Sequence, residues 1–149
     1  MTIPLPSAET VEAYAATDYY AHDVGKVKAR IGDRPEQHRG WLESRGARTA
    51  TILTAWNPFG ETTAVDRNDR AQRRLLAAIA AAGLDWVPAS GEDPRGHWAP
   101  EPGFCVFDAP PTLVDDWLVD FRQNAAVRIA ADEDTRLVWH PAIRCAGSD

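Results

Sequence analysis

Residues Thr49 to Glu61 read TATILTAWNPFGE. From Ala50 to Trp56 the run is β-branched and apolar on both parities, the pattern of a central strand buried on both faces. The strand is predicted to run into Trp56, after which Asn57-Pro58-Phe59-Gly60 must turn. Proline biases the residue before it towards an extended backbone, so Asn57 is expected to be extended. Its amide suits two tasks, satisfying turn backbone or meeting a ligand, and the surrounding elements decide which.

Working outward, residues 68–82 form a predicted helix with Leu75, Leu76, Ile79 and Ala82 at helical spacing, stopped by Gly83. A short strand follows over 84–88, then a turn-rich connection over 89–103 and a second central strand over 104–108. Pro110 and Pro111 open a second helix. Its apolar face carries Leu113, Val114, Trp117, Leu118 and Phe121, and Asn124 is its expected end. Strands over 127–130 and 136–139 complete the pass. The order from residue 50 is therefore β-α-β-β-α-β, an α+β chain with a ferredoxin-like split βαβ core. That arrangement puts the two most apolar strands in the middle of the sheet.

The first third is read as a helical extension. Ser7 is a helix cap with Thr10 in the box position, a helix runs over 8–16, residues 18–23 are extended, and a second helix covers 35–45 before Gly46. One domain over 1–149 is expected, with the extension at about 7–46 covering a face or edge of a core at about 48–139. Residues 1–6 and 144–149 read as loose ends.

This topology gathers polar residues that are distant in sequence. Trp56 and Asn57 follow the first core strand, Asp66 and Asn68 open the first helix, His97, Trp98 and Glu101 precede the third strand, and Gln123 and Asn124 close the second helix. All fall at one edge of the sheet. The proposed ligand-binding set is Trp56, Asn57, Asn68, Trp98, Glu101, Gln123 and Asn124. Each also has a plainer role: Trp56 as core, Asp66 or Asn68 as helix cap, Glu101 as an exposed turn residue, and Gln123-Asn124 as a helix terminus. Buried beside Trp98, Glu101 would have a raised pKa and serve as an acid or base, with His97 as the accompanying proton carrier.

Composition narrows the classes. The formal net charge of −6 argues against nucleic acid and anionic membranes as partners. Lys26, Lys28, Arg30, Arg34, Arg39, Arg45 and Arg48 fall in one stretch, read as a solvated face, with an acidic partner as the alternative. Residues 1–10 lack a basic start and an apolar run, and no stretch is long and apolar enough to span a membrane. Cys105 and Cys145 are read as reduced thiols of a cytoplasmic protein. Four scattered histidines and the absence of CxxC or HExxH give no metal site, and no GxSxG, P-loop or GxGxxG motif points to a cofactor.

Four pieces, Thr54-Ala-Trp-Asn-Pro58, Asn68 in a helix start, Trp98…Glu101, and Phe121-Arg-Gln-Asn-Ala125, together resemble a family of small bacterial proteins of unknown function. The resemblance covers about residues 14–139 and implies no activity. Where that family tends to have a serine after the Glu-Pro pair, this chain has Gly103. Three functions are therefore expected, in order: a module binding a small polar ligand at the gathered edge, a protein-interaction module with tryptophans or a sheet edge as the contact and a homodimer as one form, and an enzyme using Glu101.

Overall fold

The computed structural model describes residues 3–146; Met1, Thr2 and residues 147–149 of the expected loose ends lie outside the described residues. Helix α1 (Ala8–Ala16) starts at Ser7, whose Oγ accepts from the Thr10 backbone N–H at 3.1 Å. Strands β1 (Asp18–Asp23) and β2 (Gly25–Ala29) form a hairpin. A 3-10 turn over Pro35–Gln37 leads into α2 (Arg39–Ser44), so the helix expected over 35–45 is split. Then come β3 (Thr49–Leu53), α3 (Val65–Ala81), β4 (Trp86–Glu92), β5 (Glu101–Phe107), α4 (Pro111–Asp120), β6 (Ala125–Ala130), β7 (Arg136–Trp139) and α5 (Pro141–Ala146).

The fold is α+β, built on one seven-stranded, curled sheet in the order β2-β1-β4-β5-β3-β6-β7, with every pairing antiparallel. The expected four-stranded core sheet is thus only its middle. The first third is not simply helical: β1 pairs with β4 and carries the sheet two strands further. Lys26 and Lys28 on the edge strand β2 are the kind of charge that protects an unpaired edge.

Alternation along the strands divides the core in two. Leu53, Val106 and Ala126 meet α3 and α4 through Leu75, Ile79, Val114, Trp117 and Leu118. Ala50, Ile52, Cys105, Phe107, Val127 and Ile129 face the other way, against Leu42 and Trp41 of α2 and Tyr14 of α1. Truncating a fully buried leucine such as Leu75 or Leu118 to alanine costs about 2–5 kcal/mol in cores of this kind.

Several boundaries differ from expectation for local reasons. β3 stops at Leu53, three residues before Trp56, because the Thr54 Oγ1 accepts the Trp56 N–H at 3.0 Å and donates to the Pro102 carbonyl at 2.7 Å. β4 and β5 extend into the stretch read as a loop, leaving only residues 93–100 between them. Gly103 sits at their crossing with β3: a Cβ there would lie 2.6 Å from the Leu53 carbonyl oxygen, so no side chain fits. The helix expected to end at Asn124 ends at Asp120, and Arg122 turns the chain at φ 52°. The loose end expected from residue 144 is helical to Ala146.

Candidate functional site

A cavity of about 260 Å³ opens on the α1 and α2 face of the sheet. Its floor is the sheet, through Tyr19, Ile52, Glu101, Gly103 and Val127. Its roof is α1, through Thr10, Ala13 and Tyr14. Its far wall is the turn after β3 with Trp56, Asn57 and Gly60, joined by Trp98, Gln123 and Asn124.

Six of the seven proposed residues, Trp56, Asn57, Trp98, Glu101, Gln123 and Asn124, line this one space. Asn68 does not. It is 1 % exposed and stands behind the wall, inside α3. The helix begins at Val65, with Ala64 at the cap position and no side-chain cap, so neither Asp66 nor Asn68 has the capping role. Instead the Asn68 Oδ1 accepts the Asn57 N–H at 2.9 Å, and its Nδ2 donates to the Asn57 Oδ1 at 2.9 Å and to the Thr63 carbonyl at 3.2 Å.

That grip explains the backbone of the turn. Asn57 is left-handed, φ 45° and ψ 72°, and not extended as its following proline predicts. Phe59 is also left-handed, at φ 51°. Such conformations persist only where surrounding contacts over-determine them. Here the contacts are the Asn68 pair, the Thr63 N–H to Asn57 Oδ1 bond at 3.0 Å, and the Phe59 N–H to Arg122 carbonyl bond at 2.7 Å. Of its two expected tasks, Asn57 performs the first, satisfying turn backbone. Its Oδ1 holds the turn, while its Nδ2 reaches Glu101 Oε1 at 3.4 Å.

Glu101 is the first residue of β5, paired with Gly91, not an exposed turn residue. Burial pushes its carboxyl above the ordinary value, and the Asn57 amide pulls weakly the other way. No lysine, arginine or histidine lies within ion-pair distance of it among the described residues. Tyr14 is pushed up to about 12, first by burial, with an Asn124 hydrogen bond opposing and the Glu101 charge adding. The Tyr19 hydroxyl is raised further, again chiefly by burial.

The amides at the end of α4 are buried, Gln123 at 6 % and Asn124 at 5 % exposure. The Gln123 Nε2 donates to the carbonyls of Trp56 at 3.3 Å and Phe121 at 3.1 Å. The Asn124 side chain hydrogen-bonds Tyr14, and its carbonyl accepts the His140 N–H at 2.7 Å.

His97 does not join the site. Its side chain is 68 % exposed, and its backbone N–H is bound to Asp93 Oδ2 at 3.1 Å within the β4–β5 loop. The expected Glu101–His97 proton pair is therefore absent. The sequence reading also missed Gln72, which is buried on α3. Its Oε1 accepts the Ala55 N–H and its Nε2 donates to the Pro102 carbonyl, both at 2.8 Å, fixing the wall to the floor. It missed Tyr14 and Tyr19 as well. The spacing of Leu75 and Ile79 could have flagged Gln72 as a polar residue on a buried stripe.

One hydroxyl–imidazole pair touches the cavity, Ser90 Oγ and His22 Nε2 at 2.9 Å. Ser90 Oγ also lies 3.1 Å from Glu92 Oε2, to which it can donate, so its one hydroxyl hydrogen is shared between two acceptors. Among the described residues no group of three or more histidine, cysteine, aspartate or glutamate side chains gathers as a metal site, and no helix is long and apolar enough to cross a membrane. The basic run is largely spent on ion pairs: Lys26 with Glu92, Lys28 and Arg30 with Asp18, Arg34 with Glu36 and Asp134, Arg45 with Asp23.

The wall of the cavity, the grip of Asn68 and the floor at Glu101 all fall in one segment. Residues 53–126 match the family described as a protein of unknown function (DUF3293). This bears out the resemblance to an uncharacterised family. The DUF3293 match is narrower than the span expected, just under half the chain. It runs from the last residue of β3 into β6 and includes all seven proposed residues, while Tyr14 and the rest of the α1 roof precede it. No curated protein and no solved structure matches the chain.

Proposed function

We propose that this protein binds a small polar ligand in the cavity between α1 and the turn at Asn57. The observation carrying this reading is convergence: four separate segments bring Trp56 and Asn57, Trp98, Glu101, and Gln123 with Asn124 to one space of about 260 Å³. Apolar walls with a few convergent polar groups are how small-molecule sites are built. A half-buried carboxylate without an ion-pair partner is a costly group for a fold to keep without a use. The volume lies just under the usual range for drug-sized ligands, of roughly 300–1,000 Å³, and suits a small metabolite. We further read β4-β5-β3-β6 with α3 and α4 as the split βαβ core, widened by β1, β2 and β7.

Thermal denaturation against a metabolite and nucleotide library tests the reading, with Trp98→Ala run alongside. Trp98 lines the cavity but is not in the buried core, so its loss should spare the fold. A ligand at a hundred times its dissociation constant adds roughly 2.7 kcal/mol. Stabilisation of the wild type that is lost in Trp98→Ala is expected. Hits that survive the substitution unchanged would place binding elsewhere and sink the proposal.

A further inference from the structure

We infer that the cavity ligand carries a cationic amine seated against Glu101, a refinement that rests on the small-ligand reading above. Charge and hydrogen-bonding capacity are unevenly distributed around the cavity. Among the residues lining the cavity there is one carboxylate and no lysine, arginine or histidine. The side-chain amide donors are already engaged within the protein. Asn57 Nδ2 faces Glu101, Gln123 Nε2 spends its hydrogens on two carbonyls, and the Asn124 side chain is bound to Tyr14. The hydroxyl donors of Thr17 and Thr54 are likewise bound to the carbonyls of Ala13 and Pro102.

The acceptors are not spent. Glu101 Oε2 and Gln123 Oε1 accept no hydrogen bond among the described residues. The one donor to Glu101 stands 3.4 Å away, near the limit of a hydrogen bond. The lining also holds the indole N–H groups of Trp56 and Trp98 and the Tyr14 hydroxyl, so the asymmetry lies in charge: a space holding one carboxylate with an open acceptor oxygen and no cation is complementary to a ligand carrying positive charge. An anion entering it would meet the Glu101 carboxylate with no cation to offset it.

Two further features agree. Trp56 and Trp98 both line the cavity, and indole faces attract ammonium groups. An ammonium placed at Glu101 would form the charge-assisted hydrogen bond that the protein itself leaves unmade. The apolar parts of the lining, Ile52, Leu53, Val127 and Ala13, suit the hydrocarbon body of such a ligand.

The test uses three probes of matched size and different charge: benzylammonium, benzyl alcohol and benzoate. Each is titrated into the full-length protein by calorimetry and thermal denaturation at neutral pH. The expected result is that benzylammonium binds, benzoate does not, and Glu101→Gln weakens benzylammonium at least tenfold while circular dichroism stays unchanged. Should Glu101→Gln not fold, Trp98→Ala takes its place, with the same weakening expected from the loss of an indole face. Benzyl alcohol or benzoate binding as well as benzylammonium would overturn the cationic class while leaving the cavity as a ligand site. Failure of all three probes, with the library screen also flat, would overturn both readings.

Discussion

Asn57 and Asn68 grip each other reciprocally: the Asn57 backbone N–H donates to Asn68 Oδ1 and the Asn68 Nδ2 donates to Asn57 Oδ1, both at 2.9 Å. One asparagine lies in a left-handed turn and the other is fully buried in α3. Asn68→Ala leaves the Asn57 N–H and the Thr63 carbonyl without their partner. A loss of roughly 2–3 kcal/mol is expected, the range for stranding buried polar groups. Chemical denaturation of the variant measures it; wild-type stability would show that the turn holds itself.

Gly103 carries a steric requirement. Alanine there would put its Cβ 2.6 Å from the Leu53 carbonyl oxygen, so β3 and β5 must move apart. Gly103→Ala is expected to destabilise by about 1–3 kcal/mol, as overpacking does. The strands concerned also form the cavity floor, so ligand-dependent stabilisation should fall with it. A melting temperature equal to wild type would contradict the close approach.

Glu101 makes stability depend on pH in a defined direction. Burial holds its carboxyl above the ordinary value in the folded protein. The stability tied to its protonated form is complete below the unfolded carboxylate range and is lost as pH rises through the folded value. At neutral pH, ionised Glu101 therefore costs stability. Glu101→Gln should melt above wild type at neutral pH and converge with it in acid. Parallel melting curves across the pH range would mean the carboxyl remains solvated.

Asp23 behaves in the opposite sense. The Arg45 guanidinium lowers its carboxyl well below the usual range, against the effect of burial, and the Trp41 indole, donating at 2.9 Å, lowers it further. The stability involved is present above the unfolded carboxylate range and is lost as pH falls through the folded value. Asp23→Asn is expected to cost roughly 1–3 kcal/mol at neutral pH and to flatten the acid limb of the stability profile. Trp41 packs on Phe107, so a change in tryptophan fluorescence should accompany the loss.

The cysteines should separate cleanly by reactivity. Burial pushes the Cys105 thiol up to about 12, with the Asp23 charge adding and Arg45 opposing. Cys145 is exposed. A thiol reagent is expected to modify Cys145 in the native protein and Cys105 only after denaturation. Rapid modification of both would show that β5 opens readily.

The gathering of the site was legible because it depends on element order. The apolar runs of β3 and β5 and the Leu75–Ile79 stripe of α3 are strong local signals, and the order they set brings Trp56, Trp98, Glu101 and Gln123 to one edge. The β1–β2 hairpin was harder to see. Its turn is the single residue Val24, followed by Gly25 at φ 85°, and β2 is a short edge strand of which only Val27 and Ala29 turn inward. The turn at Asn57 misled in another way. Local sterics favour an extended residue before proline, but the bonds from Asn68, eleven residues on, override them. No local rule carries that information. Tyr14 was invisible as a site residue because its place follows from where α1 docks, not from its neighbours in sequence.

The roof of the cavity differs in kind from its floor. No residue of α1 is fully buried, and its ties to the body run mainly through Tyr14, which hydrogen-bonds Asn124, stands edge-on to Trp139 and offers its carbonyl to the Tyr19 hydroxyl at 3.5 Å. Every strand lies after it in the chain. A protein trimmed to start at Asp18 would keep its sheet and both core clusters largely intact, yet the enclosed space would become an open trough.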